Sequence, residues 1–323
     1  MAGYLVALIA GLVLLLLSAD RFVEGAVTVA RYGRMPPLVI GMVVVGFGTS
    51  LPEMLVSVLA SAQGSGGIAL GNAYGSNIVN IGLILGISAL IKPLRVQSGV
   101  LKKELPLLML VTGISIPLLL DMFLARWEAL VLLALFAVFL YWTLRQGFTH
   151  PQDALAEETA VETGAGTNSL RQGIFWLVAG LLVLVASSRL LVWSATVIAR
   201  QMGLSEMIIG LTVVAMGTSL PEFASSVAAA RKGEHDIALG NVIGSNMFNT
   251  LAVIGLSGII RPIGAEAGFL GRDMLVMGFL TLSLFLFGYG FGGRQGRINR
   301  FEGLLLVGVY AGYLAWLIVP LVA

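Results

Sequence analysis

Two carboxylates stand where a carboxylate is costly. Glu53 and Glu222 each lie about halfway through an apolar run of roughly 25 residues, longer than the ~20 that cross a bilayer. A charge in hydrocarbon costs several kcal/mol, so each is expected to face protein interior or water and to mark a pathway. Thr49 and Thr218 precede them by four residues, on the same helical face. Pro52 and Pro221 have no N–H, so the carbonyls of Gly48 and Gly217 are expected to lose their intrahelical donors. In a membrane a freed carbonyl needs another partner, or a cation. Further on, Asn72, Ser76 and Asn80 form an i, i+4, i+8 stripe that Asn241, Ser245 and Asn249 repeat. Ser76, Asn80, Ser245 and Asn249 offer neutral oxygens, whereas Asn72 and Asn241, nearer the helix ends, are expected only to satisfy backbone groups. Gly71 with Gly75, and Gly240 with Gly244, make small-xxx-small pairs that predict close helix packing. Two carboxylates among neutral oxygens describe a site for a hard cation. Ca²⁺ fits in charge and in its appetite for about six to eight oxygens. Oxygen ligation alone leaves Na⁺, Mn²⁺ and Mg²⁺ open, and neighbouring carboxylates also take up protons.

The elements that must position these groups are helices in a membrane. Of 323 residues 58% are hydrophobic and 11% charged, against roughly 25% charged in a soluble domain, which excludes a water-soluble fold. Lys plus Arg number 19 and Asp plus Glu 17, a formal net charge of +2 that makes nucleic acid a poor partner. With no Cys and two His, thiolate metal sites and thiol catalysis are gone, so a bound cation must be held by oxygen. No Ser-His, Ser-Lys or paired-Asp arrangement marks an intramembrane hydrolase; the chain is read as no enzyme.

Ten apolar runs read as spans of an all-α polytopic membrane protein: Tyr4–Ala30, Leu38–Ala62, Ile68–Ile91, Leu105–Leu120, Glu128–Leu144, Ile174–Ala199, Met207–Ala230, Ile237–Ile260, Phe269–Phe287 and Phe301–Pro320. The first carries no basic n-region or Ala-x-Ala site and is expected to be retained; it and the sixth are long enough to tilt. The polar stretch at 146–170, with Asp153, Glu157, Glu158 and Glu162, reads as a cytoplasmic linker between a first half (1–145, motif hairpin 38–91) and a second (171–323, motif hairpin 207–260). Arg31, Arg34, Lys92, Arg95, Lys102, Lys103, Arg145, Arg171, Arg231, Lys232, Arg294, Arg297 and Arg300 fall on one side, and Arg126, Arg200, Arg261 and Arg272 on the other. The positive-inside rule makes the first side cytoplasmic and places both termini outside a cell (inner) membrane. Arg126-Trp127-Glu128 and Arg300-Phe301-Glu302 open the fifth helix of each half and are expected to be interfacial anchors and ion pairs.

Shifting the chain by 169 residues aligns Gly41–Arg95 with Gly210–Gly264 without a gap. Gly-Thr-Ser-Leu-Pro-Glu occurs at Gly48–Glu53 and Gly217–Glu222, and Ile-Ala-Leu-Gly-Asn followed by Gly-Ser-Asn at Ile68–Asn77 and Ile237–Asn246. Each copy is a helical hairpin displaced from the other by five spans, and an odd number inverts the second. The turn Gln63–Gly67 has no Lys or Arg while the matching turn holds Arg231 and Lys232, so similar sequences face opposite sides. Inverted repeats with helices broken near the midplane are the organisation of secondary transporters.

These paired motifs resemble the two alpha-repeats of the cation/calcium exchanger superfamily, in particular its prokaryotic sodium/calcium exchanger branch. The resemblance covers essentially all ten helices. It implies ten helices in two inverted halves and one central site that Ca²⁺ or several Na⁺ ions occupy in turn, as transported ions and not resident cofactors. It implies Thr49, Glu53, Thr218 and Glu222 as calcium ligands. For sodium it adds Ser50, Ser76, Ser219 and Ser245, the carbonyls of Gly46 and Ala215, and a central pair at Asn80 and Asn249. The potassium-dependent branch has Asp where this chain has Asn249, which counts against potassium cotransport. The proton/calcium branch has Gly-Asn-x-x-Glu where this chain has Gly-Thr-Ser-Leu-Pro-Glu, which favours sodium as counter-ion. The other readings are a proton-coupled Ca²⁺ or Mn²⁺ antiporter using the same site and, in another class, a cation channel. No protein partner is evident.

Overall fold

The computed structural model describes residues 2–36, 39–149, 155, 157–160, 169–290 and 296–322. Asp153, Glu162 and Arg294 lie outside them. The chain folds as α1 (Ala2–Tyr32), a broken α2 (Val43–Thr49 and Leu51–Ala62), α3 (Gly66–Ile91), α4 (Gly99–Ser115), α5 (Arg126–Thr149), α6 (Leu170–Met202), a broken α7 (Glu206–Thr218 and Leu220–Lys232), α8 (His235–Ile260), α9 (Phe269–Tyr289) and α10 (Arg300–Val322). Among the described residues seven helices are long and apolar enough to cross a membrane, nine when each bent pair counts as one span. The remaining helix, α4, has 17 residues. It starts six positions before the apolar run because the Ser98 hydroxyl accepts the Leu101 N–H at 3.1 Å and begins the helix ahead of Lys102 and Lys103. Hydropathy cannot report such a cap.

The motif hairpins form the interior. Of the most apolar window, 78% is buried in α3 and in α8, against 22% in α1 and 28% in α6. α1 and α6 pair along their length at the periphery. Their backbones touch where a Cβ on Gly180 would stand 2.8 Å from the Phe22 nitrogen, and Tyr4 meets Trp193 edge to face at 5.3 Å. Each ends in the same device, a left-handed residue, Arg34 (φ 55°) after α1 and Gly203 (φ 67°) after α6. The next N–H, of Met35 or Leu204, returns to the carbonyl of Ala30 or Ala199. These turns are related by the 169-residue shift.

Two short antiparallel ladders join the repeats, one at each end of the molecule. Leu94–Arg95, after α3, pairs with Arg297–Ile298, before α10; Phe123–Leu124, before α5, pairs with Ile263–Gly264, after α8. The same two kinds of loop pair both times with the repeats exchanged, as inversion requires. Among these residues Leu94, Leu124 and Ile298 are fully buried, which fixes the register through one side of each ladder. The expected ion pairs at the starts of α5 and α10 are absent among the described residues. Glu128 instead accepts the Ala125 N–H at 2.7 Å and Glu302 the Asn299 N–H at 2.7 Å, so both carboxylates satisfy backbone at a helix start.

The close packing predicted for the four glycines is realised on one side. A Cβ on Gly71 would lie 2.7 Å from the Leu211 nitrogen, and one on Gly75 2.8 Å from the Leu211 Cα, so α3 rests directly on α7 of the other repeat. At Gly240 the nearest atoms are side chains of Leu101 at 3.4 Å and Leu155 at 3.6 Å, and a Cβ on Gly244 would meet nothing within 4 Å. Equivalent sequences therefore pack unequally. The space beside α8 is taken partly by the linker, where Leu155 and Thr159 are buried and Glu158 accepts the Ile237 N–H at 2.9 Å.

Two expectations follow. Gly75→Ala should lower stability by about 1–3 kcal/mol through overpacking, while Gly244→Ala should be neutral or better; thermal unfolding of the two variants in detergent checks the difference. Burial, reinforced by the nearby Asp236 and Glu234 carboxylates and opposed by the Ile237 N–H, pushes the Glu158 carboxyl up from 4.5 to about 7. A raised carboxyl favours docking fully at pH below about 4.5, and this contribution is lost as pH rises through about 7. Proteolysis within the linker should therefore accelerate between pH 5 and 8, and Glu158→Gln should flatten that dependence.

Candidate cation-binding site

Sequence chemistry explains why the site sits at the breaks. Ser50 and Ser219 leave helical geometry at φ −84°, ψ 2° and φ −82°, ψ 8°, and Pro52 and Pro221 open the next helical segment, where a missing N–H costs nothing. The spans bend by 48° and 46° there. Glu53 and Glu222 fall in the first turn of the second segments, where the helix N-terminus favours negative charge. The carbonyls of Gly48 and Gly217 are not stranded, because backbone N–H groups of the tightened turns reach them. The release expected from Pro is thus largely absorbed by the turn itself.

Opposite the breaks, α3 and α8 widen into π-helical turns at Val79–Leu85 and Asn249–Val253, a distortion common at functional sites. These turns begin at or next to Asn80 and Asn249. Gly46, Thr49, Ser50, Glu53, Ser76, Asn80, Ala215, Thr218, Ser219, Glu222, Ser245 and Asn249 are all buried in this interior.

One of their contacts crosses between the repeats and the other stays within the second. Ser219 donates to Glu53 Oε1 at 3.2 Å, and Ser245 donates to Glu222 Oε1 at 3.4 Å. Both carboxylates are buried. The second oxygen of each, Oε2, has no hydrogen-bond partner, and neither do Ser50 Oγ, Ser76 Oγ, Asn80 Oδ1 and both amide atoms of Asn249. Buried polar atoms ordinarily find partners. A concentration of lone oxygens beside two carboxylates has the chemistry that could hold a hard cation. Among the described residues no three His, Cys, Asp or Glu come together, so neutral oxygens must complete any coordination shell. The carbonyls of Gly46 and Ala215 already accept backbone N–H groups from Ser50 at 3.3 Å and Ser219 at 3.1 Å, and each also lies within hydrogen-bond reach of a threonine hydroxyl, Thr49 at 3.2 Å and Thr218 at 3.3 Å.

Several participants were not singled out by sequence reasoning. Asn246 accepts from the Asn80 amide at 3.0 Å, holding its carbonyl oxygen free, whereas Asn77 donates to Thr250 at 2.8 Å and leaves Asn249 unclamped. The signal was available: Thr250 replaces Ile81 at the matching position. Ser57 and Ser226 were also missed; they accept from Asn72 and Asn241 at 2.9 Å.

Two inverted, broken hairpins enclosing paired carboxylates define a membrane cation transporter, and not an enzyme. The chain belongs to the sodium/calcium exchanger protein family, whose model matches residues 3–145 and 172–319. It is 47% identical to CaxA of Alkalimonas amylolytica over 94% of this chain and 95% of that protein. It is 41% identical to the inner membrane protein YrbG of Escherichia coli K12, over 96% and 94% of the two chains. Among solved structures, the sodium-calcium exchanger NCX_Mj, soaked with Na⁺ and Sr²⁺, superposes with a TM-score of 0.68 at 32% identity, covering 97% of each chain. The fold is accordingly that of ten transmembrane helices in two repeats.

Proposed function

We propose that this protein is an antiporter exchanging Ca²⁺ for Na⁺ at one central site by alternating access. The observation that carries the reading is the pair of buried glutamates at equivalent repeat positions, each with an unpartnered oxygen, surrounded by unpartnered neutral oxygens. Thr49, Glu53, Thr218 and Glu222 serve Ca²⁺. Na⁺ uses the same four with Ser50, Ser76, Ser219, Ser245, Asn80, Asn249 and the carbonyls of Gly46 and Ala215. Coupling follows from competition. Two carboxylates without a cation are costly to carry across a low-dielectric layer, so the site changes sides when loaded with one ion type or the other.

The motif hairpins form the fixed part and the α1–α6 pair moves across them. The basic loops place both termini outside an inner membrane, with 146–170 as a cytoplasmic linker between the halves. A likeness to a solved sodium-calcium exchanger over the full chain supports sodium as counter-ion.

Glu53→Gln and Glu222→Gln should each abolish exchange while leaving a folded, membrane-inserted protein. Isotope uptake into proteoliposomes under separate Na⁺, K⁺ and H⁺ gradients reads both coupling and site. Robust sodium-driven calcium flux in either mutant would sink the site. Calcium flux driven by protons and indifferent to sodium would replace the counter-ion.

A further inference from the structure

We infer that Asn72 and Asn241 are positioning residues that tie the glutamate-bearing helix of each repeat to the threonine of the other. The inference rests on the cation-site reading above. The sequence suggested only local backbone duties for them, yet both use every arm of their amides. Asn72 Nδ2 donates to the Glu53 carbonyl at 3.1 Å and to Ser57 Oγ at 2.9 Å, and its Oδ1 accepts from Thr218 Oγ1 at 2.9 Å. Asn241 Nδ2 donates to the Glu222 carbonyl at 3.1 Å and to Ser226 Oγ at 2.9 Å, and its Oδ1 faces Thr49 Oγ1 at 3.4 Å. Each asparagine thus grips α2 or α7 of its own repeat with two protons and receives a hydroxyl from the opposite repeat. Only a side-chain amide supplies two donors and an acceptor from one short stem.

The threonine proton is the crux. A hydroxyl has a single proton, and each threonine has a second acceptor on its own helix, Ala215 O at 3.3 Å for Thr218 and Gly46 O at 3.2 Å for Thr49. When the asparagine takes the proton, the hydroxyl turns its lone pairs to the site and the carbonyl is relieved of a donor. Both changes increase the oxygen lone pairs available to a cation.

The two ties are unequal. Thr218 is nearer Asn72 than Ala215 O, while Thr49 is nearer Gly46 O than Asn241. Asn72 is completely buried and Asn241 is 8% exposed, and it is α8, the helix of Asn241, that has nothing within 4 Å of a Cβ on Gly244. The looser tie lies on the looser side.

The test is a pair of double-mutant cycles on the full chain in proteoliposomes, reading the half-saturating Ca²⁺ concentration for uptake. T49V, T218V and N72A should each raise it, by about tenfold. Because Asn72 acts through Thr218, N72A/T218V should be no worse than T218V within about twofold, while N72A/T49V should multiply toward about a hundredfold, as independent effects do. Simple helix stapling would lower stability without this cross-repeat pattern. Coupling of N72A to T49V instead, equal multiplication with both, or an unchanged half-saturation in N72A would overturn the inference. If T49V and T218V leave half-saturation unchanged, the cation-site reading falls and this inference falls with it, a result distinct from the others. Should N72A fail to fold, N241A with T49V and T218V reads the mirror coupling, with the partners exchanged.

Discussion

The cost of placing two carboxylates inside a membrane protein governs much of the rest of the architecture. A carboxylate in hydrocarbon needs donors, a favourable field or a cation. Here the local support comes from the helix breaks and, for Glu222, from Ser245 of α8. Pro52 and Pro221 restart the helix one residue before each glutamate, so the glutamates sit at helix N-termini, and Ser219 and Ser245 donate to them. That support engages one oxygen of each carboxylate and leaves the other without a protein partner. The breaks must in turn be shielded from lipid, which is why α3 and α8 are the most buried of the long helices.

Much of this was legible in the sequence because the physics leaves coarse marks. Apolar runs must be long to cross a bilayer, and duplicated motifs survive as near-identical strings, so the spans, the inverted repeat and the glutamates could be read directly. What could not be read depends on single hydrogen bonds. The start of α4 is set by Ser98, which hydropathy ignores, and Glu128 and Glu302 were assigned to ion pairs although their nearest needs are backbone N–H groups. The reach of Asn72 and Asn241 across the repeat axis is a property of three-dimensional juxtaposition, and a stripe at i, i+4, i+8 carries no information about which face meets the other half.

Asymmetry was the least legible property. Nearly identical glycine pairs suggested equal packing, yet Gly75 abuts Leu211 and Gly244 abuts nothing. The difference lies in how two equivalent halves are placed against one another, and sequence repeats are blind to it. The same holds for Asn80, clamped by Asn246, against Asn249, which the Thr250 hydroxyl leaves unclamped by drawing Asn77 away.

The two short ladders have a mechanical consequence. Each ties the loop at the end of one motif hairpin to the loop before the last helix of the other repeat, and they do so at opposite ends of the molecule. Helices α3, α5, α8 and α10 are therefore cross-braced top and bottom, like a frame pinned at both edges, and shear between the halves would have to break both ladders at once. α1 and α6 take part in neither. Each is followed by a turn with a single left-handed residue, Arg34 or Gly203, at matching positions of the two repeats, which leads on to α2 or α7. The bonds that brace the frame are thus separate from those that hold α1 and α6, and loosening one set need not soften the other.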